Sequence, residues 1–275
     1  MNNILTLYDM EFKRIYKIFF ACLGLLLVAN IGATVLSMYN VVRSIALQEG
    51  VNKSLDILRG SKGLTYVYHY LINELASMTT FTFAIAILMC LGYALVIWYR
   101  DYYSKNKTIA ALFMLPQPRF NIYISKLLLI VTLIFLVISF QVLFWFIDLS
   151  ILKIVLNINN KGFTDVFSTI LYNNITLMKL ISPSISTFIM IDFLGVILAV
   201  VVIFTGVLIQ RSYKKLGVFL GIIYIGAVIM LYIFLSGYYG IYTDILLKVH
   251  LAYYAVIFAG SMYLSNKLLN KKVYL

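Results

Sequence analysis

Long apolar stretches, separated by polar segments, dominate the pattern of this chain. Six of them are long enough to cross a hydrocarbon core of roughly 30 Å as α-helices that rise about 1.5 Å per residue. The six predicted spans cover about residues 18–38, 79–99, 126–147, 188–209, 217–236 and 249–266. The third is the clearest because residues 127–147 carry no charged side chain, and the sixth is the weakest. The pattern therefore predicts an all-α integral membrane protein, with residues 1–275 forming a single transmembrane domain.

Residues 1–17 show a different pattern, in which apolar and charged positions segregate on a helix. The apolar positions share one helical face, and they are Ile4, Leu5, Tyr8 and Phe12. Such a helix is typical of the membrane interface, so we predict an N-terminal interfacial helix. The 25 charge-free residues that follow, 18–42, exceed the apolar part of a signal peptide and lack a clear cleavage site. They indicate a retained first span.

Composition supports a membrane protein. Of the 275 residues, 63% are hydrophobic and only 12% are charged, against roughly 25% charged in soluble domains. The net charge of +12 could suggest a nucleic-acid partner. The basic residues concentrate between the apolar stretches, however, where they orient spans and face anionic lipid. We therefore expect membrane lipid, and no nucleic acid, as a partner.

The distribution of lysine and arginine predicts the orientation of the spans. The two terminal segments and the segments after the second and fourth spans hold 14 of these residues in 60 positions. The three intervening segments, about 43–74, 148–186 and 238–248, hold 8 in about 82 positions. Because basic residues are retained on the inside, both termini are expected in the cytoplasm. Segments 43–74 and 148–186 also carry apolar residues at helical spacing and predict short extracellular or interfacial helices.

Residues 100–126, between the second and third spans, carry a strong basic excess over one acid, Asp101. The basic residues are Arg100, Lys105, Lys107, Arg119 and Lys126. Apolar residues at positions 109, 112 and 113 recur at helical spacing, which predicts a short amphipathic helix over residues 106–115. Pro116 and Pro118 would end that helix, since proline lacks the backbone N–H. A solvated basic loop is the alternative interpretation.

Motifs for catalysis or metal binding are missing from the sequence. No G-x-x-x-x-G-K-S/T phosphate loop occurs. The two histidines lie 181 residues apart and both cysteines, Cys22 and Cys90, lie in apolar stretches, so no metal cluster or disulfide framework is indicated. We expect this chain to have no enzyme activity of its own, and to bind no cofactor or metal.

Two features within the spans are candidates for function. Asp192 lies early in the fourth span, 19 residues before Arg211, and therefore near the outer boundary of the membrane. It is either a solvated interfacial aspartate or part of a substrate path or gate. The pair Gly217 and Gly221, at the spacing G-x-x-x-G, would permit close helix approach within the chain or between subunits.

Several segments together resemble the permease subunit of the type-2 ABC exporters. Residues 9–14, D-M-E-F-K-R, resemble the E-x-K-R stretch on the N-terminal interfacial helix of that family. Residues 107–119, K-T-I-A-A-L-F-M-L-P-Q-P-R, resemble its T…L-P-x-x-R coupling segment. Residues 122–126, I-Y-I-S-K, are similar to its entry into the third span. The layout of six spans with both ends inside is also the layout of that family, although the outer segment 148–186 is longer than usual there.

The resemblance implies a half-transporter. Two permease subunits, identical or different, would surround the substrate route, and each would dock a separate ATP-binding subunit that holds ATP and Mg²⁺. On the coupling helix, 106–115, and its flanks, apolar residues would fill a groove of that subunit and basic residues would pair with its acids. These docking residues are Lys105, Lys107, Leu112, Phe113, Leu115 and Arg119. The N-terminal interfacial helix would add Glu11, Lys13 and Arg14.

The implied activity is ATP-driven export of a peptide, lipid-like or drug-like amphipathic substrate across a bacterial cytoplasmic membrane. Abundant Ile, Lys, Asn and Tyr suggest an AT-rich bacterial genome. Two alternatives belong to other classes. An ion-gradient secondary carrier would need ionisable residues near the bilayer midplane, where this sequence has none. A non-transporting accessory or immunity protein would need no ATPase partner.

Overall fold

The computed structural model describes residues 2–49, 64–103, 118–156, 194–239 and 243–271. Those residues form six α-helices, which we number in chain order. They are α1, Asn2–Glu49; α2, Leu64–Tyr103; α3, Arg119–Leu156; α4, Gly195–Ser212; α5, Lys214–Tyr239; and α6, Thr243–Lys271. The predicted coupling helix at 106–115 and most of the predicted outer segment 148–186 lie outside the described residues.

Five of these helices contain a stretch long and apolar enough to cross a membrane. The stretches are Ile4–Ser44, Phe81–Tyr103, Arg119–Asp148, Gly195–Ser212 and Leu216–Tyr238. An all-α, multi-pass membrane protein is thus confirmed. The sixth predicted span, 249–266, lies within α6, where tyrosines, serines, His250 and Asn266 dilute the apolar stretch. Its passage through the membrane stays a prediction.

The helices extend beyond the predicted spans. α1 runs from Asn2 to Glu49 without interruption, so no break separates residues 1–17 from the first span. A distinct interfacial helix is therefore unconfirmed. α2 begins at Leu64, inside the predicted outer segment 43–74, and α3 continues to Leu156. Helical hydrogen bonding thus continues past the apolar stretches, into the segments that the pattern assigns to the membrane surface.

The chain divides into two compact units. The first contains Met1–Tyr16, Met89–Ile134 and Ser184–Leu275, and the second contains Lys17–Leu88 and Phe135–Pro183. In the second unit, Asn30 of α1 and Gln141 of α3 exchange two side-chain hydrogen bonds, of 2.9 and 3.3 Å. Buried amide pairs of this kind hold apolar helices in register because hydrocarbon offers them no other partner.

Aromatic rings form the centre of the first unit. Trp98 of α2, Tyr123 of α3 and Phe204 of α4 are fully buried. Phe204 meets both other rings edge to face, with centroid distances of 5.6 Å to Trp98 and 5.5 Å to Tyr123. Such pairs add about 0.5–1.5 kcal/mol beyond area burial. They fix the ends of α2 and α3 against α4.

Close backbone contact joins α4 to α5 in the same unit. A Cβ atom added to Gly221 would lie 2.7 Å from the carbonyl oxygen of Gly206, and one added to Gly217 would meet the backbone of Gln210. Only glycine permits this approach. The Gly217 and Gly221 pair is therefore used for packing within the chain.

Candidate functional site

Charged residues from three helices meet in the first unit, and we call Glu11, Arg14, Arg100, Asp101 and Lys126 the ionic cluster. Local helical geometry brings them together. Glu11 and Arg14 are three residues apart on α1 and therefore share a face. Arg100 and Asp101 lie in the last turn of α2, and Lys126 lies two turns into α3. The cluster thus sits at the two helix ends that flank residues 104–117.

Lys126 is the centre of the ionic cluster and is fully buried, with 0% of the residue exposed. Its ammonium group donates a hydrogen bond of 2.8 Å to Glu11 Oε1 and a second to Asp101 Oδ2. The ring centroid of Trp98 lies 5.5 Å from the same nitrogen, within cation–π distance. A buried ammonium carries a desolvation penalty of several kcal/mol. The two carboxylates, themselves buried, are what make a lysine tolerable here.

Arg100 and Arg14 complete the cluster on its more exposed side. Arg100 donates Nη2 to Glu11 and Nη1 to the hydroxyl of Tyr93, the latter at 2.9 Å, and its Nε lies 3.7 Å from Asp101. Arg14 lies 3.8 Å from both acids. Three cations therefore share two carboxylates, which leaves the cluster with one net positive charge. Each carboxylate is bound by more than one cation, so the cluster behaves as a network.

The ionic cluster anchors both ends of residues 104–117. Arg100 and Asp101 precede that segment, Lys126 follows it, and Glu11 binds both Arg100 and Lys126. Removing one partner of a buried ion pair typically costs about 3–5 kcal/mol, because the other charge is left uncompensated. The ionic cluster therefore holds the helix ends on either side of residues 104–117 rigidly together.

A further contact ties the start of α3 to α6. Arg119, the first residue of α3, donates Nη1 to the backbone carbonyl oxygen of Leu269 at 3.2 Å. Leu269 is itself fully buried near the end of α6. The residue that ends the predicted coupling segment thus contacts α6, seven positions before Lys126 of the ionic cluster on the same helix.

The three predicted docking residues of the N-terminal helix differ in their exposure and in their partners. Glu11 is buried and bound by Lys126 and Arg100 within the chain. Arg14 is partly committed to the same cluster, with 39% of its side chain exposed. Lys13 faces solvent and pairs with Asp9 at 2.7 Å, one turn earlier.

The remaining predicted site residues are distributed differently. Arg119 makes the α6 contact described above. The others lie outside the described residues, and they are Lys105, Lys107, Leu112, Phe113, Leu115 and Asp192.

No protein-family model, curated protein or solved structure matches this chain. The resemblance carried by residues 9–14 and 107–126 therefore enters below as a proposal. In the structure, residues 9–14 supply Glu11 and Arg14 to the ionic cluster, and residues 107–126 supply Lys126.

The sequence analysis named every member of the ionic cluster, but it did not predict that these residues contact one another. Glu11 and Lys126 are 115 positions apart, and no local pattern pairs them. A usable signal exists, however. Asp101 is the single acid in residues 100–126, and the ends of the first three spans that carry Glu11, Asp101 and Lys126 are all expected on the same side of the membrane. Acids and bases at neighbouring helix ends in a low-dielectric setting have reason to pair.

Asp148 is a second residue that the pattern misses. It stands at the end of the Arg119–Asp148 apolar stretch, where the hydropathy pattern assigns it to the outer segment, yet it is 1% exposed. The Thr34 hydroxyl interacts with its carboxyl group but donates its proton to the Asn30 carbonyl oxygen. Among the described residues, neither oxygen of Asp148 accepts a hydrogen bond. A buried carboxyl group in this state is costly.

Two other kinds of site bear on the predicted chemistry. Within the described residues, no group of three or more His, Cys, Asp or Glu side chains is placed to hold a metal ion. An apolar cavity of about 390 Å³ lies in the first unit, lined by side chains that include Leu198, Val202, Tyr232 and Tyr253. Its volume lies in the range of small-molecule sites.

Proposed function

We propose that this chain is the transmembrane permease subunit of an ATP-driven ABC exporter of the type-2 family. Its substrate would be a peptide, lipid-like or drug-like amphipathic compound that leaves a bacterial cell. The chain would lie in the cytoplasmic membrane with both termini inside. It would pair with a second permease subunit and with a separate ATP-binding subunit, which would supply the ATPase activity, since this sequence contains no phosphate loop.

The observation that carries the proposal is the ionic cluster. A segment that couples a soluble motor to membrane helices must pass displacement to those helices, so both of its ends need a rigid attachment. Residues 104–117 have that attachment, because Asp101 and Lys126 on either side of them are bound to each other and Lys126 also binds Glu11. A loop that only joined two spans would not require ion pairs that hold three helices together on either side of it.

The composition of residues 104–117 supports a partner that is acidic and apolar where it docks. This segment carries Lys105 and Lys107 and no acid, and its apolar residues recur at helical spacing. A motor subunit would receive Leu112 and Phe113 in a groove and place acids around the lysines. The apolar contacts would supply most of the affinity, while the charges would steer association.

The geometry of the cluster suggests how work would reach the spans. Closure of the ATP-bound motor pair would push on residues 104–117, and the cluster would move the ends of α1, α2 and α3 as one piece. The link from Arg119 to α6 would carry the same displacement to a fourth helix. An amphipathic substrate could place its apolar part in the cavity lined by Leu198 and Val202.

The alternatives gain less support. A secondary carrier uses ionisable residues near the midplane of the bilayer, whereas Lys126 lies in the first third of the Arg119–Asp148 apolar stretch and Asp148 is its last residue. An accessory or immunity protein would not need an ionic cluster that joins three helices on either side of a basic segment. A stoichiometric ATPase that co-purifies in mild detergent would favour the permease over both.

The decisive experiment truncates Leu112 and Phe113 to alanine together. If both side chains are enclosed by a motor subunit, their loss removes roughly 3–6 kcal/mol from each docking site. The ATPase should then be lost during purification while the permease keeps its elution profile and thermal stability. The matched control is Val166→Ala with Phe167→Ala in the predicted outer segment, which should retain the ATPase. Equal retention by both double variants would refute the coupling assignment.

A further inference from the structure

Arg211, in the last turn of α4, lies among three tyrosine rings at the end of α2. Its guanidinium carbon is 5.2 Å from the ring centroid of Tyr99 and 4.6 Å from those of Tyr102 and Tyr103. We call these three rings the tyrosine cage. The hydroxyl of Tyr99 donates a hydrogen bond to the side chain of Gln210, next to Arg211, which helps to hold the cage against α4.

The cage satisfies the faces of the guanidinium group but not its N–H groups. Arg211 Nε and Nη2 are buried and have no acceptor among the described residues, and the buried hydroxyl of Tyr102 also lacks a partner there. A guanidinium group carries five N–H donors in a planar fork. Buried donors without an acceptor are costly, and more so on a charged group. Arg211 as a whole is nevertheless partly exposed, so the site opens to the surface.

Among the described residues, no acid forms an ion pair with Arg211. The segments that share its predicted side hold three acids in the whole sequence, namely Asp9, Glu11 and Asp101. Asp9 pairs with Lys13, and the other two are bound in the ionic cluster. Residues 104–117 contain no acid, and the two residues after Tyr213 are lysines. An anion from outside the chain would supply both a counter-charge and the missing acceptors for Arg211.

The position of the cage indicates which anion that is. Tyrosine rings at the end of a span occupy the headgroup level of a bilayer, and 73% of Tyr103 is exposed beside Arg211. Phosphate suits the planar fork of arginine, which can bind two of its oxygens at once. Basic pockets between transmembrane helices on the cytoplasmic side bind anionic headgroups. We propose that Arg211 and the tyrosine cage bind the phosphate group of an anionic phospholipid.

In this site the phosphate would accept hydrogen bonds from the guanidinium group and, after a small rotation, from the Tyr102 hydroxyl. The tyrosine rings would hold the arginine flat towards the membrane surface. Such a lipid would join the end of α2 to the end of α4, immediately beside the base of residues 104–117. The site needs no ATPase partner, so it goes beyond the permease proposal and can be tested on the purified chain.

The test compares Arg211→Gln with Lys267→Gln. Lys267 is an exposed lysine on the same predicted side, so the control removes an equal charge outside the cage. The full chain is placed in nanodiscs of phosphatidylcholine with increasing phosphatidylglycerol, and retained lipid is counted by native mass spectrometry. We expect Arg211→Gln to need more than about tenfold more phosphatidylglycerol for equal retention, because it loses charge-assisted hydrogen bonds to the phosphate as well as a charge. Lys267→Gln should need at most about fivefold more, the factor for one cation near an anionic surface.

Two further arms distinguish the alternatives. Inorganic phosphate added to phosphatidylcholine nanodiscs should not shift the thermal midpoint of the wild type; a shift that Arg211→Gln abolishes would make this a free-anion site and overturn the lipid assignment. Arg211→Lys keeps the charge without the planar fork and should regain part of the retention. Equal losses in both glutamine variants would indicate only diffuse attraction, and equal destabilisation of Arg211→Gln in both lipids would indicate only a structural arginine. Loss of a co-purifying protein, with lipid retention unchanged, would assign the site to that protein.

Discussion

At the scale of single residues, Lys126 shows how far one side chain depends on its surroundings. It is fully buried at the start of a predicted span, where a lysine is tolerable only because Glu11 and Asp101 bind it. From the sequence, Lys126 can be identified as the charged residue at the end of a polar segment. It cannot reveal the burial, since that depends on helices separated by up to 115 positions.

Replacing Lys126 with glutamine should destabilise the protein strongly. The change leaves two buried carboxylates with only Arg100 and Arg14 to neutralise them, at a cost of about 3–5 kcal/mol. Thermal unfolding in detergent measures the effect. Lys13→Gln is the matched control, because the pair of Lys13 with Asp9 is exposed and worth well under about 1 kcal/mol. Similar midpoints for the two variants would show that the ionic cluster does not hold the helices.

Replacing Asp148 with asparagine, in contrast, should not destabilise the protein. Because neither of its oxygens accepts a hydrogen bond from the described residues, Asp148→Asn removes a buried acid, and the asparagine oxygen can keep the interaction with Thr34. We expect the free energy of unfolding to stay equal or to rise by up to about 1 kcal/mol. Gln141→Leu is the contrasting change, since it breaks the exchange with Asn30 and should destabilise. A clear loss of stability in Asp148→Asn would mean that the acid has a partner beyond those residues.

At the scale of elements, the apolar stretches were the most predictable part of the fold. Twenty consecutive apolar residues are a local signal, and five of the six predicted spans coincide with apolar helices. Helix ends were less predictable, because α1, α2 and α3 continue beyond the ends that were predicted for their spans. The use of the glycine pair was left open, since G-x-x-x-G serves packing within a chain and between chains equally well.

The contact between α4 and α5 provides an element-scale prediction. Gly221→Ala places a methyl group against the carbonyl oxygen of Gly206, so the helices must separate, and we expect a loss of about 1–3 kcal/mol. Gly226→Ala, one and a half turns later on the same helix, meets no atom within 4 Å. It should be neutral or slightly stabilising, since alanine favours helix. Equal thermal midpoints for the two variants would contradict the close approach of α4 and α5.

At the scale of the whole molecule, orientation links the separate proposals. Coupling by residues 104–117 requires that segment to face the cytoplasm, and the phospholipid site at Arg211 uses the anionic inner leaflet. Both follow from the lysine and arginine distribution, a statistical property of the whole chain that no single residue determines. The ionic cluster lies on the same predicted side, so one topology measurement bears on all three features.

Single cysteines can test that topology after Cys22 and Cys90 are replaced by alanine. A cysteine at Ser61, in the predicted outer segment, should react with a membrane-impermeant maleimide on intact cells. Cysteines at Gln117 and at Lys267 should react only after the cells are permeabilised, because impermeant reagents do not reach the cytoplasmic face. Permeabilised cells also serve as the control that each position is reactive. Labelling of Gln117 on intact cells would invert the orientation, remove residues 104–117 from any cytoplasmic ATPase, and place Arg211 at the outer leaflet.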